Sequence, residues 1–90
     1  MVTVHIPAAM RILTLGEAQV SAEGSTLREV IEHLEAHFPG LQSRLAEEER
    51  LRSGLAAFVN GVSVRPLLST RIPEGAEIFF APAIAGGSSP

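Results

Sequence analysis

The stretch "EGSTLREVIEHLEAHFPG", residues 23–40, decides how the rest of this 90-residue chain is read. Leu27, Val30, Ile31, Leu34 and Phe38 recur at helical spacing and form one apolar stripe. Thr26 followed three residues later by Glu29 is the pattern of a capping box, which satisfies first-turn N–H groups that have no helical partner. Pro39 and Gly40 stop the helix. A helix of about three turns with one apolar face can cover one face of a small mixed sheet. The flanking sequence supplies one. In "VTVHI" (2–6), Val2, Val4 and Ile6 point one way and Thr3 and His5 the other, as in a strand with one buried face. "AQVSA" (18–22) gives a second strand, after a loop containing Gly16. Past the helix, "LQSRLAEEERLRSG" (41–54) is polar and reads as a short turn of helix and a loop, with Glu47, Glu48 and Glu49 solvated. "AFVNGVSV" (57–64) predicts a hairpin about Asn60 and Gly61, with Val59 opposite Val62 and Ala57 opposite Val64. A turn at Pro73, Glu74 and Gly75 leads to a last strand near residues 77–81. The order strand, strand, helix, strand, strand, strand predicts an α+β sandwich of two layers. A mixed sheet of four to five strands carries one main helix on one face, with the first and last strands side by side at its centre.

Composition excludes several function classes. The apolar content is 46%, enough for a core, although four Phe are the only aromatics. With no Cys there is no disulfide framework, thiolate metal site or cysteine nucleophile. A net charge of −3 argues against a nucleic-acid binder, which usually has a basic face. No apolar run is long enough to span a bilayer and the N-terminus lacks a signal-peptide pattern, so the cytoplasm is the expected location. Every cation is Arg and every acid is Glu, which fits genomic composition bias. The chain therefore cannot be linked to itself through lysine side chains. Without Asp no Ser/His/Asp arrangement arises, and the glycine pair near the end precedes no helix that could cradle phosphate. His33 and His37 stand four apart, but "HLEAH" is not HExxH and no third ligand is evident. They read as helix-edge histidines, and no metal site is expected. Arg11, Arg65 and Arg71 read as solvated, and Ser25, Ser69 and Thr70 as cap and turn residues.

Two aromatics stand apart. If Ala57, Val59, Val62 and Val64 face the helix, Phe58 faces outward; if Ile78 and Phe80 face in, Phe79 faces out. Two outward aromatics on one sheet face, leading to the C-terminal arm, would make a docking patch for partner proteins. The competing reading is that residues 41–56 cover one or both.

The order of elements and the ending "IFFAPAIAGG" (78–87) resemble the β-grasp (ubiquitin-like) fold of the MoaD/ThiS sulfur-carrier family, whose last strand runs into a PxxxGG arm. "FVNG" and the later "EG" turn resemble the family's middle. "IPAAMR", "TLGEAQVSAEGSTLREVIEHLEAHFPGLQSRL" and "PAIAGG" resemble its CysO branch, whose carriers feed cysteine synthesis. The resemblance covers nearly the whole chain. It implies a β-grasp domain over residues 1–85 and a flexible tail over 86–90. It also implies a carrier with no catalysis and no bound cofactor of its own. Gly86 and Gly87 would be the carrier terminus. The Gly87 carboxylate would be adenylated by an ATP-using, sulfur-transferring partner enzyme and converted to a thiocarboxylate, which then gives its sulfur to a synthase. Docking is expected at Phe58, Phe79, Ile84 and Ala85. No nucleic acid or membrane is expected as a partner.

Ser88, Ser89 and Pro90 depart from the family pattern, because they leave Gly87 in an amide bond with no free carboxylate. Either a protease removes them, for which the resemblance implies a JAMM-type metalloprotease, or they do not belong to the natural chain, or the protein is not a carrier in this form. Other classes remain open: a ubiquitin-like modifier joined to target proteins through Gly87, the small subunit of a molybdopterin-synthase-like complex, and an interaction module with an inert tail.

Overall fold

The helix forms where its cap and stop place it. In the computed structural model, which describes residues 1–82, α1 spans Leu27–His37. Thr26 is the N-cap, its hydroxyl accepting from the Glu29 N–H at 3.2 Å. The Glu29 carboxylate accepts in turn from the backbone N–H of Ser25 at 2.7 Å and from its hydroxyl at 3.0 Å, one residue further out than in the simplest capping box. Leu27, Val30, Ile31 and Leu34 are buried, and Phe38 packs half-buried against the same core.

Ahead of the helix lie β1 (Val2–His5), a 3-10 turn (Ala8–Met10) and β2 (Gln19–Ala22). After it come α2 (Leu41–Leu45), β3 (Ala46–Glu47), β4 (Arg50–Leu51), β5 (Leu55–Val59), β6 (Val62–Ser63) and β7 (Glu77–Pro82). The main sheet has five strands in the order β2-β1-β7-β5-β6. The first and last long strands are the central pair, as expected, and run parallel with Val4 opposite Ile78. Both other long pairings are antiparallel. Val2, Val4, Ile6, Ala22, Ala57, Val59, Ile78 and Phe80 line the inner face and meet the stripe of α1 in one core. The hairpin turn has positive φ at both central residues, 52° at Asn60 and 84° at Gly61, the geometry that matches strand twist.

Two expectations are corrected. Residues 41–54 are more than a turn of helix and a loop: α2 is followed by the two-stranded hairpin β3–β4, with Ala46 opposite Leu51 and Glu47 opposite Arg50. Glu48 makes that reversal with φ of 59°. Leu41, Leu45 and Leu51 from this segment enter the core, so its apolar side is spent on the helix face of the sheet. Val62, expected to face the helix, is 65% exposed, since nothing packs over it on the edge strand β6. Among the described residues no helix is long and apolar enough to cross a membrane.

Candidate functional site: the outer sheet face

Alternation along the strands decides what the uncovered face of the sheet presents. The registers align Gln19 of β2 with His5 of β1, His5 with Phe79 of β7, Phe79 with Phe58 of β5, and Phe58 with Ser63 of β6. One row of side chains therefore crosses all five strands, with three rings at its centre. The His5 and Phe79 rings are stacked, centroids 3.8 Å apart and planes within 4° of parallel. Phe79 is 41% exposed, and Phe58 and His5 are half-buried. One step toward the end of β7, Ala81 pairs with Ala56. The band of rings thus gives way to a shallow, small-residue step just before the strand ends at Pro82. Toward the start of β7 the face turns polar, with Thr3 opposite Glu77. Glu77 Oε2 lies 3.4 Å from His5 Nε2, within ion-pairing range, but the geometry makes no hydrogen bond and Nε2 is buried without a partner. Asn60 fastens the neighbouring turn to this strand: its Oδ1 accepts from the Glu77 N–H at 3.0 Å and its own N–H donates to the Glu77 carbonyl at 2.8 Å.

Phe58 and Phe79 are thus brought together, facing outward as expected, and residues 41–56 send their buried leucines to the opposite face. Ile84, Ala85, Gly86 and Gly87 lie outside the described residues. His5 was not expected in the row. Its outward direction was legible from alternation in β1, but its position over Phe79 follows only from the parallel register with β7.

The charged groups elsewhere serve the fold. The Arg28 guanidinium hydrogen-bonds the Glu49 carboxylate, which raises the pKa of the arginine and lowers that of the glutamate. Hydrogen bonds from the Ser25 N–H and hydroxyl hold Glu29 below the ordinary carboxylate range. His33 Nδ1 accepts from the Glu23 N–H at 2.8 Å, which takes the lone pair a metal would need there. No group of three or more potential metal ligands occurs among the described residues. A hollow of about 240 Å³ beside α2 is lined by Glu35, Gln42, Ser43, Ala46 and Glu48, and lacks the apolar lining of a small-molecule site. What the uncovered face presents is a row of aromatic rings that runs onto the last strand.

Known proteins carry the same architecture and much of the same sequence. The chain is 40% identical to the sulfur carrier protein CysO of Mycobacterium tuberculosis (strain ATCC 25618 / H37Rv), over 96% of this chain and 98% of the relative. The crystal structure of M. tuberculosis CysO, described as an antigen, superposes with a TM-score of 0.85 at 37% identity, covering 93% of this chain and all of that one. CysO in the crystal structure of the Amycolatopsis orientalis BexX/CysO complex gives a TM-score of 0.87 at 37% identity, over 97% of this chain and 100% of that one. The small archaeal modifier protein 1 of Methanosarcina acetivorans, at 22% identity and a TM-score of 0.72, covering 96% of this chain and 95% of its own, shares the fold. A model of the ThiS family matches residues 4–87. The row of outward rings therefore stands on a β-grasp sheet whose sequence matches that family from β1 to the second glycine, and the chain belongs to the ThiS family.

Proposed function

We propose that this chain is a sulfur carrier, not an enzyme, that works through the carboxylate of Gly87 once residues 88–90 have been removed. The observation that carries the reading is the family match running through Gly87, together with 40% identity to a sulfur carrier over nearly the whole chain. Removal of the tail would fall to a JAMM-type protease. An adenylating partner would then activate the carboxylate: its oxygen attacks the α-phosphorus of ATP and pyrophosphate leaves. A sulfur nucleophile supplied by the partner system attacks the acyl carbon, AMP leaves, and the terminus becomes a thiocarboxylate. The product is anionic at neutral pH and keeps its sulfur nucleophilic without a thiol side chain, in keeping with a chain that has no Cys. The likeness to CysO supports a sulfur-accepting synthase of cysteine biosynthesis as the final partner.

The chain's own part is recognition and delivery. Phe58 and Phe79, on the open sheet face, would dock the partner, and Ile84 and Ala85 would lead Gly86 and Gly87 into its site. Glycine at the last two positions lets the arm pass where a Cβ would collide. ATP is a substrate of the partner, and the carrier needs no cofactor, nucleic acid or membrane. The cytoplasm, where such biosynthetic partners work, is the location this reading implies. The test compares the 90-residue chain with one ending at Gly87, each incubated with the adenylating enzyme, ATP and a sulfide source. The shorter chain should release pyrophosphate and gain the mass of one oxygen-to-sulfur exchange, and the longer one should do neither until trimmed. A chain ending at Gly87 that releases no pyrophosphate would sink the proposal.

A further inference from the structure

We propose that Pro7 and Pro82 together form a ladder stop that ends the β1–β7 pairing ahead of the C-terminal arm, and that they act as positioning residues for its delivery. The inference rests on the carrier reading, but its structural half does not.

In a parallel pair, a residue donates its N–H to the residue before its partner and accepts from the one after. Thr3 is opposite Glu77 and donates to the Ala76 carbonyl at 3.0 Å, as this rule requires. His5, opposite Phe79, is the last paired residue of β1. Two residues on, position 7 would stand opposite Ala81. The next two rungs would run from the nitrogen of residue 7 to the Phe80 carbonyl and from the nitrogen of residue 82 to the residue 7 carbonyl. Both nitrogens belong to prolines and carry no hydrogen. The Pro7 carbonyl accepts from the Met10 N–H at 2.9 Å, which turns the chain away from the sheet, and keeps a second lone pair that no donor at position 82 can use. Ile6 is no substitute: its N–H donates to Ala18 on the β2 side and its carbonyl accepts from Arg11 Nε at 3.0 Å.

The other flank gives out at the same level. The Val64 N–H donates to the Ala57 carbonyl, so Ala57 addresses β6, and the alternate residues Ala56 and Phe58 address β7. Ala56 is opposite Ala81, and the next residue able to pair with β7 would be Gly54. Gly54 has φ of 85° and bends the chain out of strand geometry. Both neighbours of β7 therefore quit within two residues of Pro82. A free sheet edge tends to recruit any extended segment beside it. The two missing rungs would hold positions 80 and 82, the end of β7, on β1, and where a partner must lift that end to thread the arm, apparent affinity would fall by the fraction of time it stays paired. The stop removes that loss.

The test replaces both prolines, Pro7→Val with Pro82→Val, restoring the two donors. Hydrogen exchange is followed on the full chain, and adenylation kinetics on chains ending at Gly87. The amides of residues 7 and 82 should be protected, KM for the carrier should rise roughly tenfold, the scale of one or two added backbone hydrogen bonds, and kcat should hold. Thermal stability should stay level or rise, whereas prolines with a merely structural role would lower it on removal. New amides that exchange as freely as exposed ones overturn the stop. Protected amides with unchanged KM overturn its role in delivery. If the unsubstituted chain ending at Gly87 is not adenylated at all, the carrier reading and the delivery role fall together, and exchange still decides the stop.

Discussion

Replacing Phe79 with serine removes the most exposed ring on the outer sheet face. An aromatic side chain offers about 150–250 Å². With 41% of Phe79 exposed, about 60–100 Å² remains for a partner to cover. At about 25 cal/mol per Å² this amounts to about 1.5–2.5 kcal/mol if docking buries all of it, a roughly 10- to 70-fold rise in Kd. The figure is an upper bound, because association also orders side chains and desolvates polar groups. The fold should survive, since Phe79 lies on the uncovered face and Ile78 and Phe80 carry the core contacts of β7. The stack on His5 is lost, and Phe58 loses its cross-strand neighbour. Calorimetric titration of the adenylating enzyme with the carrier measures Kd, and a thermal melt of each variant checks the fold. Phe58→Ser should weaken binding less, because Phe58 is already half-buried, and the double variant should weaken it most. A Kd for Phe79→Ser within about twofold of the unsubstituted carrier, with an unchanged melt, would refute the docking role of the row.

Two further predictions concern stability. Gly24→Ala should be strongly destabilising: an added Cβ would lie 2.7 Å from the Val30 nitrogen and 2.8 Å from Glu29 Cβ, at φ of 156°. Overpacking of this kind costs about 1–3 kcal/mol, a fall in Tm of about 4–20 °C for a domain of this size; a Tm within about 2 °C of the parent would refute the close approach. The second is a pH dependence. The folded pKa of Glu29 is depressed, first by the Ser25 N–H and then by its hydroxyl, and that of Glu49 by Arg28. Each glutamate thus contributes stability above its unfolded value of about 4.3 and loses it as pH falls through the lower folded value. Urea unfolding at pH 6 and pH 3 should show this loss, and Glu29→Gln should flatten part of it; an equal slope in the variant would remove Glu29 as a source.

Much of the fold is legible in the sequence because its signals are local. The stripe of α1, its Thr26 cap and the reversal at Asn60 and Gly61 each depend on residues a few positions apart. Alternation in β1 and β7 also told which way Phe79 and His5 point. Other features lay out of reach for physical reasons. Strands of two residues, as in β3 and β4, are too short to show a period, and left-handed Glu48 has no turn signature of its own. Val62 continues the alternation of its hairpin, but burial depends on whether anything covers the edge, which no pattern within the strand records.

The sequence by itself determined α1, the reversal at Asn60 and Gly61, the apolar faces of β1 and β7, and the ending that ties the chain to its family. Tertiary structure decided the registers, because pairing β1 with β7 joins segments more than seventy residues apart. That register stacks His5 on Phe79 rather than leaving it on a remote strand. It also sets Pro7 and Pro82 on the same two missing rungs, so that two prolines, each unremarkable alone, act together. Hydrogen bonds across a sheet are matched one to one, and a shift of one residue would put different side chains in the row and different nitrogens at the ladder's end.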